Sequence, residues 1–146
     1  MRERCGDIWR FIGIADAICV TTNAIVKENG ALVMGAGIAK EATQYFPGIQ
    51  FTFGNAVKSV GNVPVIGVVK EGTRIVSFPT KNDWKDPSDM FLIKRSAEAL
   101  ADMANKFNWK YIALPRPGCG CGGLKWEDVK KILSLIFDDR FVIFSK

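Results

Sequence analysis

The segment Pro117-Gly118-Cys119-Gly120-Cys121-Gly122-Gly123-Leu124 places four glycines within six residues. It follows a predicted strand over residues 111–114 and precedes a predicted helix over residues 127–137, where apolar residues recur at helical spacing. Glycine lets the backbone approach a ligand closely, and a helix N-terminus presents unpaired N–H groups to an anion. The pattern predicts a phosphate-binding loop, with a tight turn that binds nothing as the alternative.

A second glycine-rich loop, Met34-Gly35-Ala36-Gly37-Ile38-Ala39, has the same kind of position. A buried strand predicted over residues 17–22 precedes it, and a helix predicted over residues 36–46 follows until Pro47-Gly48 ends it. A single loop of this kind would favour the ligand-free turn. Two of them at one end of a sheet favour a site that holds a diphosphate.

Neither loop matches the common nucleotide fingerprints. Gly118 and Gly123 have the separation of a P-loop, but Leu124 stands where that motif requires lysine, and Lys125 comes one position late. Gly118, Gly120 and Gly123 do have the glycine spacing of the Rossmann dinucleotide motif, but that motif opens the first strand–helix unit of its domain, whereas this loop follows the fourth of five predicted strands. Hydrolysis of nucleoside triphosphates is therefore not expected.

The other predicted elements alternate between strand and helix. Two β-rich runs, residues 63–69 and 74–78, predict a hairpin, and residues 141–144 predict a closing strand. A long helix is expected to begin after Ser88 or Asp89, because apolar residues then repeat at spacings of four and three: Ile93, Ala97, Leu100, Ala104 and Phe107. This alternation predicts a single α/β domain over residues 1–146, a three-layer α/β/α arrangement with a mixed central sheet.

The composition is ordinary for an α/β protein, with 48% hydrophobic and 24% charged residues. No apolar run approaches the roughly 18 residues of a membrane span, and the first four residues do not resemble a secretory signal. Four irregularly spaced cysteines do not suggest a disulfide framework. We expect a cytoplasmic protein, a monomer, with no membrane partner. The net charge of +5 is compatible with attraction to phosphates but does not by itself indicate a nucleic-acid partner.

The chain contains no histidine. This excludes histidine as a general base, the triads that depend on it and most catalytic zinc sites. Cys119 and Cys121 have no second pair nearby and cannot complete a tetrahedral metal site, so we expect neither a metal nor another cofactor. Chemistry would then come from lysine, acidic residues, backbone dipoles or the substrate, with a cysteine thiolate as a minor alternative.

Five motifs, in order along nearly the whole chain, resemble the macro domain family. They are Gly6-Asp7-Ile8, Ala15-Asp16-Ala17-Ile18-Cys19-Val20-Thr21-Thr22-Asn23, the loop that starts at Met34, Phe78-Pro79-Thr80-Lys81, and the loop from Pro117 extended through Lys125-Trp126. The two glycine loops are similar to one branch of that family. This branch includes terminal ADP-ribose glycohydrolases that act on protein glutamate and antitoxins that remove ADP-ribose from DNA bases.

The resemblance implies an ADP-ribose site. Asp7, beside Ile8, would accept a hydrogen bond from the adenine amino group, Asn23 would contact the distal ribose, and Phe144 would stack on adenine. The diphosphate and distal ribose would lie between two sets of loop residues: Gly35, Ala36, Gly37 and Ile38 in the first, and Gly118, Cys119, Gly120, Cys121, Gly122 and Gly123 in the second. The alternatives are a turn cap for Asp7, a strand-end turn residue for Asn23 and a core side chain for Phe144.

Lys81 is the candidate catalytic residue. Its Pro-Thr-Lys context resembles the segment that supplies a catalytic lysine in the same branch, and a deprotonated lysine can attack the anomeric carbon of the distal ribose or assist proton transfer there. An ordinary surface lysine is the alternative. The expected function is removal of ADP-ribose from a modified protein or DNA, the partner being that ADP-ribosylated macromolecule. An ADP-ribose 1″-phosphate phosphatase, a non-catalytic ADP-ribose reader and a plain nucleic-acid binder remain as other hypotheses.

The chain departs from the family pattern in two places. Glutamate-specific relatives carry an aspartate in the second loop, where this chain has Gly122 or Gly123, so a mechanism that pairs lysine with aspartate is not expected. Residues 24–33, between Asn23 and the first loop, form a longer segment than in that branch.

Overall fold

The computed structural model describes all residues from 1 to 146. Six strands alternate with four α-helices and one short 3-10 helix. In chain order they are β1 Arg2–Cys5, the 3-10 helix Ile8–Phe11, β2 Ala17–Thr22, α1 Gly37–Tyr45, α2 Ile49–Val60, β3 Ile66–Lys70, β4 Thr73–Pro79, α3 Met90–Phe107, β5 Ile112–Pro115, α4 Trp126–Leu133 and β6 Phe141–Ser145.

The strands form one mixed sheet in the order β1-β6-β5-β2-β4-β3. Strands β1, β6, β5, β2 and β4 run parallel to their neighbours, and β3 joins β4 in an antiparallel hairpin at the edge. The predicted hairpin and the mixed sheet are therefore confirmed. Because the five parallel strands point the same way, the loops that follow them meet at one edge of the sheet.

Two hydrophobic cores lie on opposite faces of this sheet. In β2, Ala17 and Cys19 belong to the core beneath α3 and α4, whereas Ile18 and Val20 belong to the core beneath the 3-10 helix, α1 and α2. Successive strand residues face opposite sides, so a strand covered on both sides must be apolar throughout. The three-layer α/β/α arrangement predicted from the sequence is confirmed.

Helix α3 begins at the second of the two predicted caps. The Asp89 carboxylate accepts hydrogen bonds from the backbone N–H groups of Phe91 at 2.9 Å and Leu92 at 3.4 Å. Two donors that the helix itself leaves unpaired are satisfied in this way. Ser88, the other candidate, lies just outside the helix.

Three elements have no counterpart among the predicted ones, and one of them is the short 3-10 helix Ile8–Phe11. Pro47-Gly48 does end α1, but Gly48 adopts a left-handed conformation with φ of 97°, and α2 begins at the next residue. Strand β1 consists of four exposed residues and pairs with β6 at the far end of the chain. Helix α4 ends at Leu133, four residues earlier than predicted, and turns follow it. None of the helices combines the length and the apolar character needed to cross a membrane.

Candidate functional site

A cavity of about 1190 Å³ lies where the parallel strands end. Strand β2 leads into Asn23, β4 into Thr80 and Lys81, and β5 into Arg116, all of which line the cavity. Thirteen of the fifteen predicted site residues lie in its wall. The two that do not are Cys119 and Gly123. Most ligand pockets enclose about 300–1,000 Å³, so this one has room for a whole nucleotide.

Asp7 has the structural role considered for it, and its ligand role stays a prediction. Its Oδ1 atom accepts a hydrogen bond from the backbone N–H of Trp9 at 3.0 Å and so caps the 3-10 helix. The residue is exposed and lines the cavity, and Oδ2 has no hydrogen-bond partner within the protein. The cap fixes the carboxylate, and its second oxygen stays available as an acceptor.

Asn23 is 8% exposed and is held by two backbone hydrogen bonds. Its Oδ1 accepts from the N–H of Ile25 at 3.0 Å, and its Nδ2 donates to the carbonyl oxygen of Val33 at 2.9 Å. These bonds close the segment of residues 24–33, in which Val26 and Leu32 form a bridge. An amide carries two N–H donors, so one of them remains for a ligand.

The first glycine loop leads directly into α1. Ala36 is the residue before the helix, and no side chain caps the helix start. Residues 36–39 line the cavity, so the unpaired N–H groups of the first helical turn lie in its wall. A helix N-terminus of this kind attracts anions such as a diphosphate.

The second glycine loop folds back onto the segment before α3. Gly118 has φ of 75°, and a Cβ atom there would lie only 2.9 Å from the Ile93 side chain and 3.0 Å from that of Leu124. The N–H of Ser88 donates to the carbonyl oxygen of Gly122 at 2.9 Å. Within this loop, Gly118, Gly120, Cys121 and Gly122 line the cavity, whereas the start of α4 does not.

The two loop cysteines have different environments. Cys119 is partly buried, packs against the core beneath α3 and α4, and donates from its thiol to the Pro117 carbonyl oxygen at 3.4 Å. Burial raises the pKa of the Cys119 thiol above its usual value, so the nucleophilic thiolate is disfavoured at neutral pH. Cys121 is exposed and lines the cavity. The structure brings no three cysteine, aspartate or glutamate side chains together as a metal site.

Lys81 is half-buried in the cavity wall and forms no salt bridge. Its Nζ atom donates to the carbonyl oxygens of Trp84 at 3.4 Å and Asp86 at 3.2 Å. Its own carbonyl oxygen accepts from Asn62 at 3.2 Å. The amine is therefore oriented by neutral acceptors and is not neutralised by a carboxylate.

Phe144 lies between core and cavity. It is only 4% exposed and packs edge-on against Phe11 with ring centroids 5.1 Å apart, yet it contributes to the cavity wall. Most of the Phe144 side chain is therefore buried in the core, as the alternative interpretation had it. Stacking on adenine stays a prediction for this residue, as ligand contact does for Cys119 and Gly123.

Several cavity residues were not among the predicted site residues. Trp84 and Tyr45 contribute exposed rings, Arg116 and Lys146 contribute cations, and Ser88 contributes a buried hydroxyl group without a hydrogen-bond partner. The only local signal for any of them was the position of Trp84 close after Lys81. The others lie beside or within predicted elements, as Arg116 does directly before the second glycine loop, but no motif assigned them to the site.

Fold and cavity together define a class of protein: a three-layer α/β/α domain with a nucleotide-sized site at the carboxyl ends of its parallel strands. The family model of the macro domain matches residues 27–133. The chain belongs to the macro domain family.

Individual relatives agree with this assignment. The chain is 32% identical over 132 residues to a DNA ADP-ribosyl glycohydrolase of Mycobacterium tuberculosis, a match that covers 86% of this chain and 38% of the relative. The chain thus spans little more than a third of that protein. It is 31% identical over 115 residues to the ADP-ribose glycohydrolase OARD1 of Bos taurus, with 77% of this chain and 74% of the relative covered.

Among solved structures, the chain is similar to the macrodomain of Mycobacterium tuberculosis DarG. The TM-score is 0.82 at 29% sequence identity, and the match covers 99% of this chain and 97% of that one. The likeness therefore extends over nearly the whole of both chains.

Proposed function

We propose that this protein is a hydrolase that binds ADP-ribose and removes it from a modified macromolecule. The observation that carries the proposal is the Lys81 amine, which is hydrogen-bonded to carbonyl oxygens but to no carboxylate, in a cavity bordered by two glycine loops. The names of relatives support the reaction class, since they include DNA ADP-ribosyl glycohydrolases and an ADP-ribose glycohydrolase. They favour ADP-ribosylated DNA as substrate and leave ADP-ribosylated protein as the alternative.

The proposed binding mode follows from the donors and acceptors of the cavity wall. The free Oδ2 atom of Asp7 would accept a hydrogen bond from the adenine amino group. The N–H groups at the start of α1 and the backbone of the second glycine loop would hold the diphosphate. The remaining Nδ2 hydrogen of Asn23 would donate to a hydroxyl group of the distal ribose.

The proposed chemistry takes place at the anomeric carbon of the distal ribose. In its neutral form, the Lys81 amine forms a bond to that carbon while the bond to the modified group breaks. The leaving group keeps the electron pair of the broken bond and takes up a proton. Water then adds to the same carbon, releases the lysine and completes the hydrolysis.

Replacement of Lys81 tests the proposal. Lys81→Ala should lower the rate of ADP-ribose release from a modified oligonucleotide by about 100-fold or more, the usual contribution of a residue that takes part in bond making or proton transfer. Its affinity for free ADP-ribose in a calorimetric titration should stay within a few-fold of the unmodified protein. Lys81→Arg serves as the matched control, because it keeps the positive charge and should be equally slow.

Other results would change the assignment. Unchanged turnover in Lys81→Ala would remove the lysine from the mechanism. Release of phosphate from ADP-ribose 1″-phosphate, with no action on modified DNA or protein, would make the protein a phosphatase. Binding of ADP-ribose without turnover of any of these substrates would make it a reader.

A further inference from the structure

Trp84 is the large exposed side chain beside the proposed catalytic amine. It is 51% exposed and lines the cavity. Its backbone carbonyl oxygen accepts the Lys81 Nζ hydrogen bond at 3.4 Å, so indole and amine belong to one short turn. Both side chains line the same cavity.

The turn that carries Trp84 is fixed by its own hydrogen bonds. The N–H of Lys85 donates to Asp83 Oδ1 at 3.0 Å, and the N–H of Asp86 donates to the Asp83 carbonyl oxygen at 3.1 Å. The Asn82 carbonyl oxygen accepts from the N–H of Ala24 at 2.9 Å and ties the turn to the end of β2. The indole is thus presented from an ordered backbone.

One other exposed apolar ring lines the cavity, and it already has a partner. Tyr45 stacks on Trp9 with ring centroids 5.0 Å apart and an interplanar angle of 27°. Trp84 has no aromatic neighbour, and only the Lys85 ammonium group lies over its ring, at 5.8 Å. A half-exposed indole in the cavity wall is suited to a planar partner.

We propose that Trp84 is a specificity-determining residue that stacks on the nucleobase to which the ADP-ribose is attached. The inference rests on the proposed function and adds to it a contact by which the protein would distinguish an ADP-ribosylated nucleobase from an ADP-ribosylated protein side chain. A base has a flat π face that an indole can cover, whereas the ester of a glutamate side chain has none.

The charges of the turn favour stacking over contact with the DNA backbone. Residues 81–86 contain two lysines, Lys81 and Lys85, and two aspartates, Asp83 and Asp86, so the turn offers phosphates no net positive charge. Phosphate contacts make affinity depend steeply on salt, whereas stacking does not. The contribution of Trp84 to binding should therefore be insensitive to salt.

Binding measurements on the Lys81→Ala protein test the inference without turnover. Three probes are compared: free ADP-ribose, a short oligonucleotide with one ADP-ribosylated base, and a peptide with one ADP-ribosylated glutamate. Adding Trp84→Ala should weaken binding of the oligonucleotide by about tenfold, the scale of one base–aromatic stack. Binding of ADP-ribose and the peptide should stay within twofold, and the oligonucleotide effect should be the same at 50 and about 200 mM salt.

Two matched variants complete the design. Trp84→Phe keeps a ring and should recover most of the oligonucleotide affinity. Phe91→Ala removes another exposed ring, one that lies outside the cavity, and should change nothing.

Equal weakening of all three probes would overturn the inference and make Trp84 a general part of the wall. Weakening of the peptide alone would assign the residue to protein substrates. Loss of the tenfold effect at higher salt would point to the DNA backbone instead of the base. If the protein with Lys81 intact cleaves no substrate but the Trp84 effect persists, the hydrolase proposal fails and the stacking role stands.

Discussion

At the scale of single residues, Gly122 shows how closely the second glycine loop is packed. A Cβ atom at this position would lie 2.5 Å from the Gly118 carbonyl oxygen and would also meet the Ser88 hydroxyl group. Gly122→Ala should therefore lower the free energy of unfolding by about 1–3 kcal/mol, the usual cost of overpacking a filled site, as measured by urea denaturation.

The neighbouring Gly120 provides the control for this prediction. A Cβ atom there meets nothing within 4 Å, so Gly120→Ala should leave the free energy of unfolding within about 0.5 kcal/mol. Equal losses for both variants would show that the loop tolerates no side chain at all, for reasons other than the contact with Gly118 and Ser88.

Asp7 and Asn23 illustrate why function and local structure could not be separated from the sequence. For each residue, a structural role and a ligand role were alternatives, and the geometry shows the structural role while it leaves a polar atom free for a ligand. Asp7 caps a helix with one oxygen and leaves the other free, and Asn23 closes a turn and keeps one N–H donor. The structural bond fixes the orientation of the side chain, and this fixed orientation is what a binding residue needs.

At the scale of elements, the two cysteines in the loop between β5 and α4 differ in their exposure to solvent. Cys121 is exposed at the cavity, whereas burial of Cys119 raises the pKa of its thiol. In a Cys5→Ser background, a maleimide reagent at pH 7 should therefore modify Cys121 much faster than Cys119 in the folded protein, because thiolates are the reactive form. Mass spectrometry of peptides measures both rates.

The pH dependence of this reaction follows from the direction of the shift. Burial raises the pKa of the Cys119 thiol, so its labelling rate should still be rising with pH above the range in which a thiol usually loses its proton. Saturating ADP-ribose should slow the reaction of Cys121 if the ligand covers the loop. Faster labelling of Cys119 than of Cys121 would mean that the loop opens in solution.

The elements that sequence analysis predicted are those whose signal is local. Strand β2 has four successive buried apolar residues, from Ala17 to Val20, and its predicted bounds agree with the structure. Helix α2 was missed because Pro47-Gly48 is a stop signal for α1 and gives no sign that another helix begins at once. Strand β1 was missed because its four exposed residues carry no apolar pattern and are placed by pairing with β6.

The site residues also fall into those that a local motif predicts and those that it does not. The two glycine loops, Asp7, Asn23 and Lys81 lie within short motifs, so their meeting at one edge of the sheet could be predicted. Ser88 and Lys146 are brought to the cavity by the order of the strands, which no local pattern encodes. Trp84 lies between these cases, close in sequence to Lys81 but recognisable only by the exposure of its ring.

At the scale of the whole molecule, ligand binding and folding are coupled, since a ligand that binds only the folded state stabilises it. At 100 times its dissociation constant, ADP-ribose should add about 2.7 kcal/mol to the free energy of unfolding. For a domain of this size that corresponds to a rise in Tm of about 10 °C. AMP and ATP at the same concentration should raise Tm less, because neither places a distal ribose between Asn23 and Lys81.

Lys81→Ala should retain the ADP-ribose shift, since the lysine is assigned to chemistry and not to affinity. Equal shifts with AMP would show that the cavity recognises only the adenylate part, and the absence of any shift would contradict the ADP-ribose site itself.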